Sequence, residues 1–217
     1  MQPKWTAEKY AQIVENTSVK WAKTLIRLSG ARIHITGLEN IPKDRTVLYV
    51  SNHQSDFDII VCIYGLPGPK GFIAKIEMLK VPLLRTWMRY MRCLFMDRKD
   101  IKQSMRIILE GITLLKSGHN MVVFPEGTRS KSDNMLEFKA GSFKLATKSK
   151  APIIPITISG SYKIIEGNNY KIKPADIYVT VHPPVYTDSL TAEDASALPE
   201  KVKSIIAESL QNQLPVL

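Results

Sequence analysis

The 217-residue chain has only two cysteines, Cys62 and Cys93, and no CxxC pair. Each sits in an apolar setting, IIVCIYG and RCLFM, which predicts buried free thiols in a reducing compartment rather than a disulfide framework. Long apolar runs are also missing. No stretch approaches the roughly eighteen residues of a membrane span, and the longest run, residues 59–64, meets Gly65. The N-terminal MQPKWTAEKY lacks the basic-then-apolar order of a signal peptide, so an intracellular protein that does not span the membrane is expected. The four histidines (34, 53, 119 and 182) have no ligand spacing and the carboxylates form no cluster; no metal is expected. There is no GxSxG elbow, and neither cysteine neighbours a plausible base, which argues against an enzyme-borne acyl nucleophile.

The chain is long enough to bury a sizeable core as one domain, and its composition is that of an ordinary globular protein. Its net charge of +10 is unevenly placed. Residues 70–106 hold ten Lys/Arg against three acids, and residues 1–32 hold six against two. So basic a first half suits a negatively charged partner or simply a soluble basic face.

Apolar positions at Trp5, Tyr10, Val14, Thr17, Trp21, Leu25 and Leu28 fall at helical spacing from Tyr10 onward, with Lys4, Lys9, Lys20, Lys23 and Arg27 nearby. ARIHITG alternates like a half-buried strand, and TVLYV reads as a fully buried one. A short helix is expected from about Ser55, a strand at KGFIA, and a helix opened by Pro82. Asp100 is placed to cap a long helix that Gly118 ends. NMVVF is a strand, AGSFKLATKSK a helix, PIIPITI and DIYVTVH strands, and residues about 191–214 a last helix. Strands alternating with helices predict an α/β fold: a central mixed sheet flanked by helices, with an N-terminal amphipathic element over residues 1–30 and the α/β domain over 31–217.

Two loops carry the chemistry. NHQSDFD follows TVLYV at the C-terminal end of a strand, where open α/β sheets place their ligands. On one regular helix His53 and Asp58 would lie about 140° apart. With His53 still in the loop and Asp58 in the first helical turn, the imidazole can fold back on the carboxylate. A neutral imidazole accepts a proton near its ordinary pKa of about 6.5, and a carboxylate fixes its tautomer. A plain capping and turn network fits the same residues. FPEGTRS follows the strand MVVF: Gly127 lets backbone N–H groups approach an anion, Thr128 adds a hydroxyl, and Arg129 offers a fork for phosphate oxygens. Glu126 either holds Arg129 or accepts from a substrate hydroxyl. A turn with a surface ion pair is the rival reading. A third stretch, LFMDRKD, sets Arg98 after an apolar segment with Asp97 placed to orient it.

Together these stretches resemble the glycerolipid acyltransferase family. Its NHxxxxD block is matched by Asn52, His53 and Asp58, its second block by Phe95, Asp97 and Arg98, and its FPEGTRS block at every position from Phe124 to Ser130. APIIPI, residues 151–156, looks like the fourth block. The resemblance covers roughly residues 33–185, and the pairing of the first and third blocks is specific. The chain departs from the family pattern at Arg85 and Arg92, where glycines are common, and in its N-terminal anchor.

What the resemblance implies is transfer of a fatty acyl group from a thioester to the 2-hydroxyl of 1-acylglycerol 3-phosphate, giving phosphatidic acid. His53 would be the general base and Asp58 its orienting partner. Arg129 and Arg98, with Glu126, Gly127 and Thr128, would bind the acceptor. Lys75 matches a family AK-x-E-L-like stretch and would neutralise phosphate or an oxyanion; a core-edge lysine with its ammonium in water fits equally. No cofactor is implied beyond the donor, acyl carrier protein or coenzyme A thioester. The N-terminal helix and PLLRTWMRYMR have the composition of interfacial segments on an anionic membrane surface, which suggests peripheral attachment at the cytoplasmic face. Helices packed on the sheet are the alternative for both. Another acceptor is the rival within enzymes. A nucleic-acid binder is disfavoured, since no aromatics interleave with cations on a strand face.

Overall fold

The computed structural model describes residues 6–213, so the expectations for Lys4, Trp5 and Leu214 lie outside the described residues. The helices are α1 (Ala7–Ser29), α2 (Phe57–Gly65), α3 (Pro82–Tyr90), α4 (Ile101–Lys116), α5 (Lys144–Ser149) and α6 (Ala192–Gln213). The strands are β1 (Arg32–Thr36), β2 (Leu48–Ser51), β3 (Lys70–Lys75), β4 (Leu94–Met96), β5 (Asn120–Val123), β6 (Ile153–Ser159) and β7 (Asp176–Val181). They form one seven-stranded sheet in the order β1-β7-β6-β2-β5-β3-β4. The five strands β6 to β4 are mutually parallel. The remaining pair is reversed, since β7 runs antiparallel to β6 and β1 parallel to β7. The expected mixed sheet flanked by helices is the observed fold.

The central strands are apolar on both sides because both faces are covered. In β2, Tyr49 points into the core shared with α1, α2 and α3, whereas Leu48 and Val50 point to α4, α5 and α6. In β5, Val122 and the pair Met121 and Val123 divide the same way. This is the two-residue strand period expressed on a sheet with two buried faces. The helix signals were sound: Asp100 accepts from the Gln103 N–H at 3.0 Å, Pro82 opens α3, and Gly118 lies just past α4 with φ +88°. AGSFKLATKSK is not one regular helix. It starts as a 3₁₀ turn over Ala140–Phe143, where Gly141 and Ser142 favour α-helix weakly, before α5 forms.

The N-terminal helix is real, but its buried line sits to one side of the apolar positions read from spacing. Val14, Ser18, Ala22 and Ser29 are buried, and the helix lies against α2. Small side chains allow that close approach. Tyr10, Trp21 and Leu28 are left exposed, Leu28 at 76%. Among the described residues, no helix is long and apolar enough to cross a membrane.

Backbone crowding fixes α3 over β3. The turn after α3 passes so close that a Cβ at Gly71 would stand 2.6 Å from the Arg92 carbonyl oxygen. Arg92 itself takes a left-handed φ of +57° to make that turn. Gly71→Ala is therefore expected to cost about 1–3 kcal/mol through backbone overpacking, read as a lower urea midpoint. An unchanged midpoint would show that the turn relaxes freely.

Candidate active site

Because β2 and β5 are parallel neighbours, paired Val50 to Val123, the residues following each emerge side by side. That is how two motifs about seventy positions apart come together. In the first loop the backbone stops pairing at Ser51, and the Asn52 side chain takes over. Its Nδ2 donates to the Ile158 carbonyl and its Oδ1 accepts from the Ile158 N–H, both at 2.8 Å. The chain is then free to turn.

The turn is held by Asp58, which is fully buried. Its Oδ2 accepts from the Gln54 N–H at 2.7 Å and the Ser55 N–H at 2.9 Å, and meets His53 Nδ1 at 2.8 Å. A carboxylate facing Nδ1 selects the tautomer with the proton there, leaving the lone pair on Nε2. The ring stacks on Phe124, with centroids 4.1 Å apart. Ser55 accepts from the Phe57 N–H at 3.0 Å, and the helix begins at Phe57, two residues after the expected start near Ser55.

His53 lines a cavity of about 590 Å³ together with Lys75, Arg98, Gly127, Thr128 and Arg129. Lys75 ends β3 and Arg98 follows β4, so four parallel strands deliver these residues to one edge. The inner wall is apolar: Ile60, Phe72, Leu84, Trp87 and Met88 line it, with Trp21 from α1. Among the described residues, no group of three or more His, Cys, Asp or Glu is arranged to hold a metal ion. Cys62 and Cys93 are buried free thiols. Burial pushes the Cys62 thiol up, and the Cys93 thiol up to about 12, so neither is a ready thiolate.

Three residues do something other than their motifs suggested. Glu126 is buried and faces neither Arg129 nor the cavity. Its Oε1 accepts from the His53 N–H at 2.6 Å and its Oε2 from the Leu136 N–H at 2.8 Å, tying the two motif loops together. Asp97 accepts from the Lys99 N–H rather than orienting Arg98. Gln103 holds that turn instead, bonding the Phe95 carbonyl and the Asp97 N–H. Arg129 spends one nitrogen, Nη1, on Asp56 and on Glu166 at 3.0 Å, which leaves Nε and Nη2 for a ligand.

Glu166 was not singled out from the sequence. Its carboxylate, 1% exposed, also accepts from Ser55 Oγ at 2.6 Å and the Asp56 N–H at 3.0 Å. It thus braces Arg129 against the histidine loop from a turn after β6. Gln54 is a second silent brace, accepting from the Gly160 N–H and donating to Asp133. Glu166 lies outside every motif, and Gln54 occupies a variable position of NHxxxxD.

The family model described as Acyltransferase matches residues 32–159. The chain belongs to the acyltransferase family. It is 28% identical over 189 residues to the 1-acyl-sn-glycerol-3-phosphate acyltransferase of Borreliella burgdorferi, covering 87% of this chain and 76% of that one. It is 35% identical over 179 residues to the human 1-acyl-sn-glycerol-3-phosphate acyltransferase alpha, covering 81% of this chain and 62% of the relative. Against the chloroplastic BAT2 enzyme of Brassica napus it spans half the relative's length, at 34% identity over 81% of this chain. The crystal structure of the 1-acyl-sn-glycerophosphate acyltransferase PlsC from Thermotoga maritima superposes with a TM-score of 0.86 at 29% identity, covering 99% of this chain and 86% of that one.

Burial lifts the Glu126 carboxyl from 4.5 to about 7, against the pull of its two N–H donors. A carboxyl whose folded pKa lies above its unfolded value favours the fold below the unfolded pKa and loses that advantage as pH rises through the folded one. The stability of the wild type relative to Glu126→Gln should therefore fall by on the order of 3 kcal/mol between pH 4.5 and 8. Urea midpoints across that range provide the check, and parallel curves would refute the assignment.

Proposed function

We propose that the protein transfers a fatty acyl group from an acyl thioester to the 2-hydroxyl of 1-acyl-sn-glycerol 3-phosphate, forming phosphatidic acid. One observation carries the reading: an imidazole oriented by a buried carboxylate shares one cavity with Lys75, Arg98 and Arg129 at its mouth and an apolar interior. The names of the relatives support the substrate class.

In this mechanism His53 Nε2 removes the proton from the 2-hydroxyl as that oxygen attacks the thioester carbonyl. Asp58 stabilises the imidazolium that forms. The tetrahedral oxyanion collapses, the carbon–sulfur bond breaks, and the leaving thiolate takes the proton back from His53. The nucleophile is the acceptor itself, which agrees with two inert cysteines. Arg129 is already shared by two acids, so it cannot balance a phosphate alone. Lys75 and Arg98 supply the remaining positive charge. The backbone N–H groups of Thr128 and Arg129, free of partners among the described residues, can receive an anionic oxygen.

The acyl chain enters from a bilayer in this reading. The exposed Leu28 on α1 and Leu83 on α3, the latter 85% exposed, lie on the elements that wall the cavity, beside the basic stretch from Lys70 to Arg106. That combination suits peripheral attachment to an anionic surface. The thioester carrier fits the same charge: acyl carrier protein, or the polyanionic coenzyme A.

His53→Ala should lower transfer by about 10²–10⁴-fold with the fold intact by circular dichroism; a tenth of wild-type activity remaining would remove His53 from the role of base. Arg129→Ala should chiefly raise KM for lysophosphatidic acid. Equal slowing with an acceptor lacking phosphate would contradict that grip, and mass analysis of the product with glycerol 3-phosphate or other lysophospholipids distinguishes other acceptors. The double variant Leu28→Glu/Leu83→Glu should reduce sedimentation with anionic vesicles, whereas unchanged sedimentation would place the bilayer contact elsewhere.

A further inference from the structure

A second cavity, of about 900 Å³, opens at the other end of β3, between the first half of α1 and the end of α3. Its walls are mostly apolar, with Tyr10, Val14, Ile63, Trp87 and Met91 prominent. Among them stands Lys70, the first residue of β3, a residue only 5% exposed. Among the described residues its ammonium has no hydrogen bond and no carboxylate within 4.0 Å. Its Nζ is not among the buried polar atoms closed off from solvent, and burial, opposed by Glu15, lowers the Lys70 pKa only to about 8, so the group stays largely charged at neutral pH. The catalytic reading makes no use of it. Five residues of strand, roughly 16 Å, separate it from Lys75 at the catalytic edge.

The surrounding charges limit what can bind. Glu15, on α1, acts on Lys70 and raises its pKa against burial. Arg92 follows α3 on the other side, and His119, lowered to about 4 by burial, is neutral, so the charged lining sums to one net positive charge. One net positive charge inside an apolar cavity matches a monoanion with a hydrocarbon tail better than a dianionic phosphate. The volume lies within the range of small-molecule sites, about 300–1,000 Å³. We propose that this cavity is a second binding site, for a long-chain carboxylate whose head pairs with Lys70 and whose chain lies along Trp87 and Met91. Ile63, Trp87 and Met91 also line the catalytic cavity, so the two sites share a wall. The proposal goes beyond the acyl-transfer reading and does not depend on it.

The test is calorimetric titration of the full chain with laurate and with dodecanol at neutral pH, for the wild type and the Lys70→Met, Lys70→Arg and Arg129→Ala variants. A charge-assisted pair predicts that Lys70→Met weakens laurate binding about 10–100-fold. Lys70→Arg and Arg129→Ala should bind it within about threefold of the wild type, and dodecanol should bind all four proteins alike. A diazirine-bearing laurate on the unsubstituted protein should label peptides spanning residues 7–19 or 87–92. Laurate affinity unaffected by Lys70→Met, or labelling confined to peptides containing His53 or Gly127, would overturn the proposal. If Lys70→Met does not fold, the labelling pattern alone decides, because it needs no substitution. Failure here leaves the transfer assay of His53→Ala untouched, so the two readings fall separately.

Discussion

A single oxygen, Oδ2 of Asp58, organises the catalytic edge. It holds three nitrogens between 2.7 and 2.9 Å: two backbone N–H groups and the imidazole. The two backbone bonds fold the loop over the start of α2, and the third sets the ring. Orientation of the base and shape of the loop are therefore one event. The ring's hydrogen-bond partner is therefore fixed in place before any substrate arrives. Ligand specificity rests on the rest of the edge, which arrives from other strands.

Parallel pairing is what brings those strands to the same place. Residues from four strand ends face one cavity, and a fifth strand end, after β6, contributes the Glu166 brace. The cross-loop bonds run outward from the histidine loop: Glu126 links it to the loop after β5, Glu166 and Gln54 to the turn after β6. Each brace is a buried polar group with its partners in place, the condition under which such groups stiffen a site instead of weakening it.

Much of this was readable from residue order. Apolar periodicity placed the strands, Asp100, Pro82 and Gly118 marked helix ends, and the spacing of NHQSDFD and FPEGTRS pointed to one site. The braces were not readable. Glu166 lies 110 positions from Asp56 in an unpatterned turn, and nothing local distinguishes a buried carboxylate from an exposed one. Asn52 stood out only as a motif match and Gln54 not at all, because the segment they bond, Ile158 to Gly160, is a hundred residues away. Glu126 was read by its neighbours in the motif, Gly127 and Arg129, whereas its actual partners are backbone groups of other segments. On α1 the apolar spacing drew attention to Tyr10, Trp21 and Leu28, yet close packing on α2 selected Ser18 and Ala22, which hydropathy hardly registers.

The reversal of β7 and β1 has its own consequence. Strands running the opposite way release their chain at the opposite rim, so the segments leaving β1 at Gly37 and β7 at His182 sit away from the reactive edge. Those two connections are the natural places for inserted loops, tags or fused modules, since added length there is remote from the base and from every cation around it. The fold thus has a catalytic rim and an opposite one, and the β1 and β7 connections leave the latter without lining either cavity.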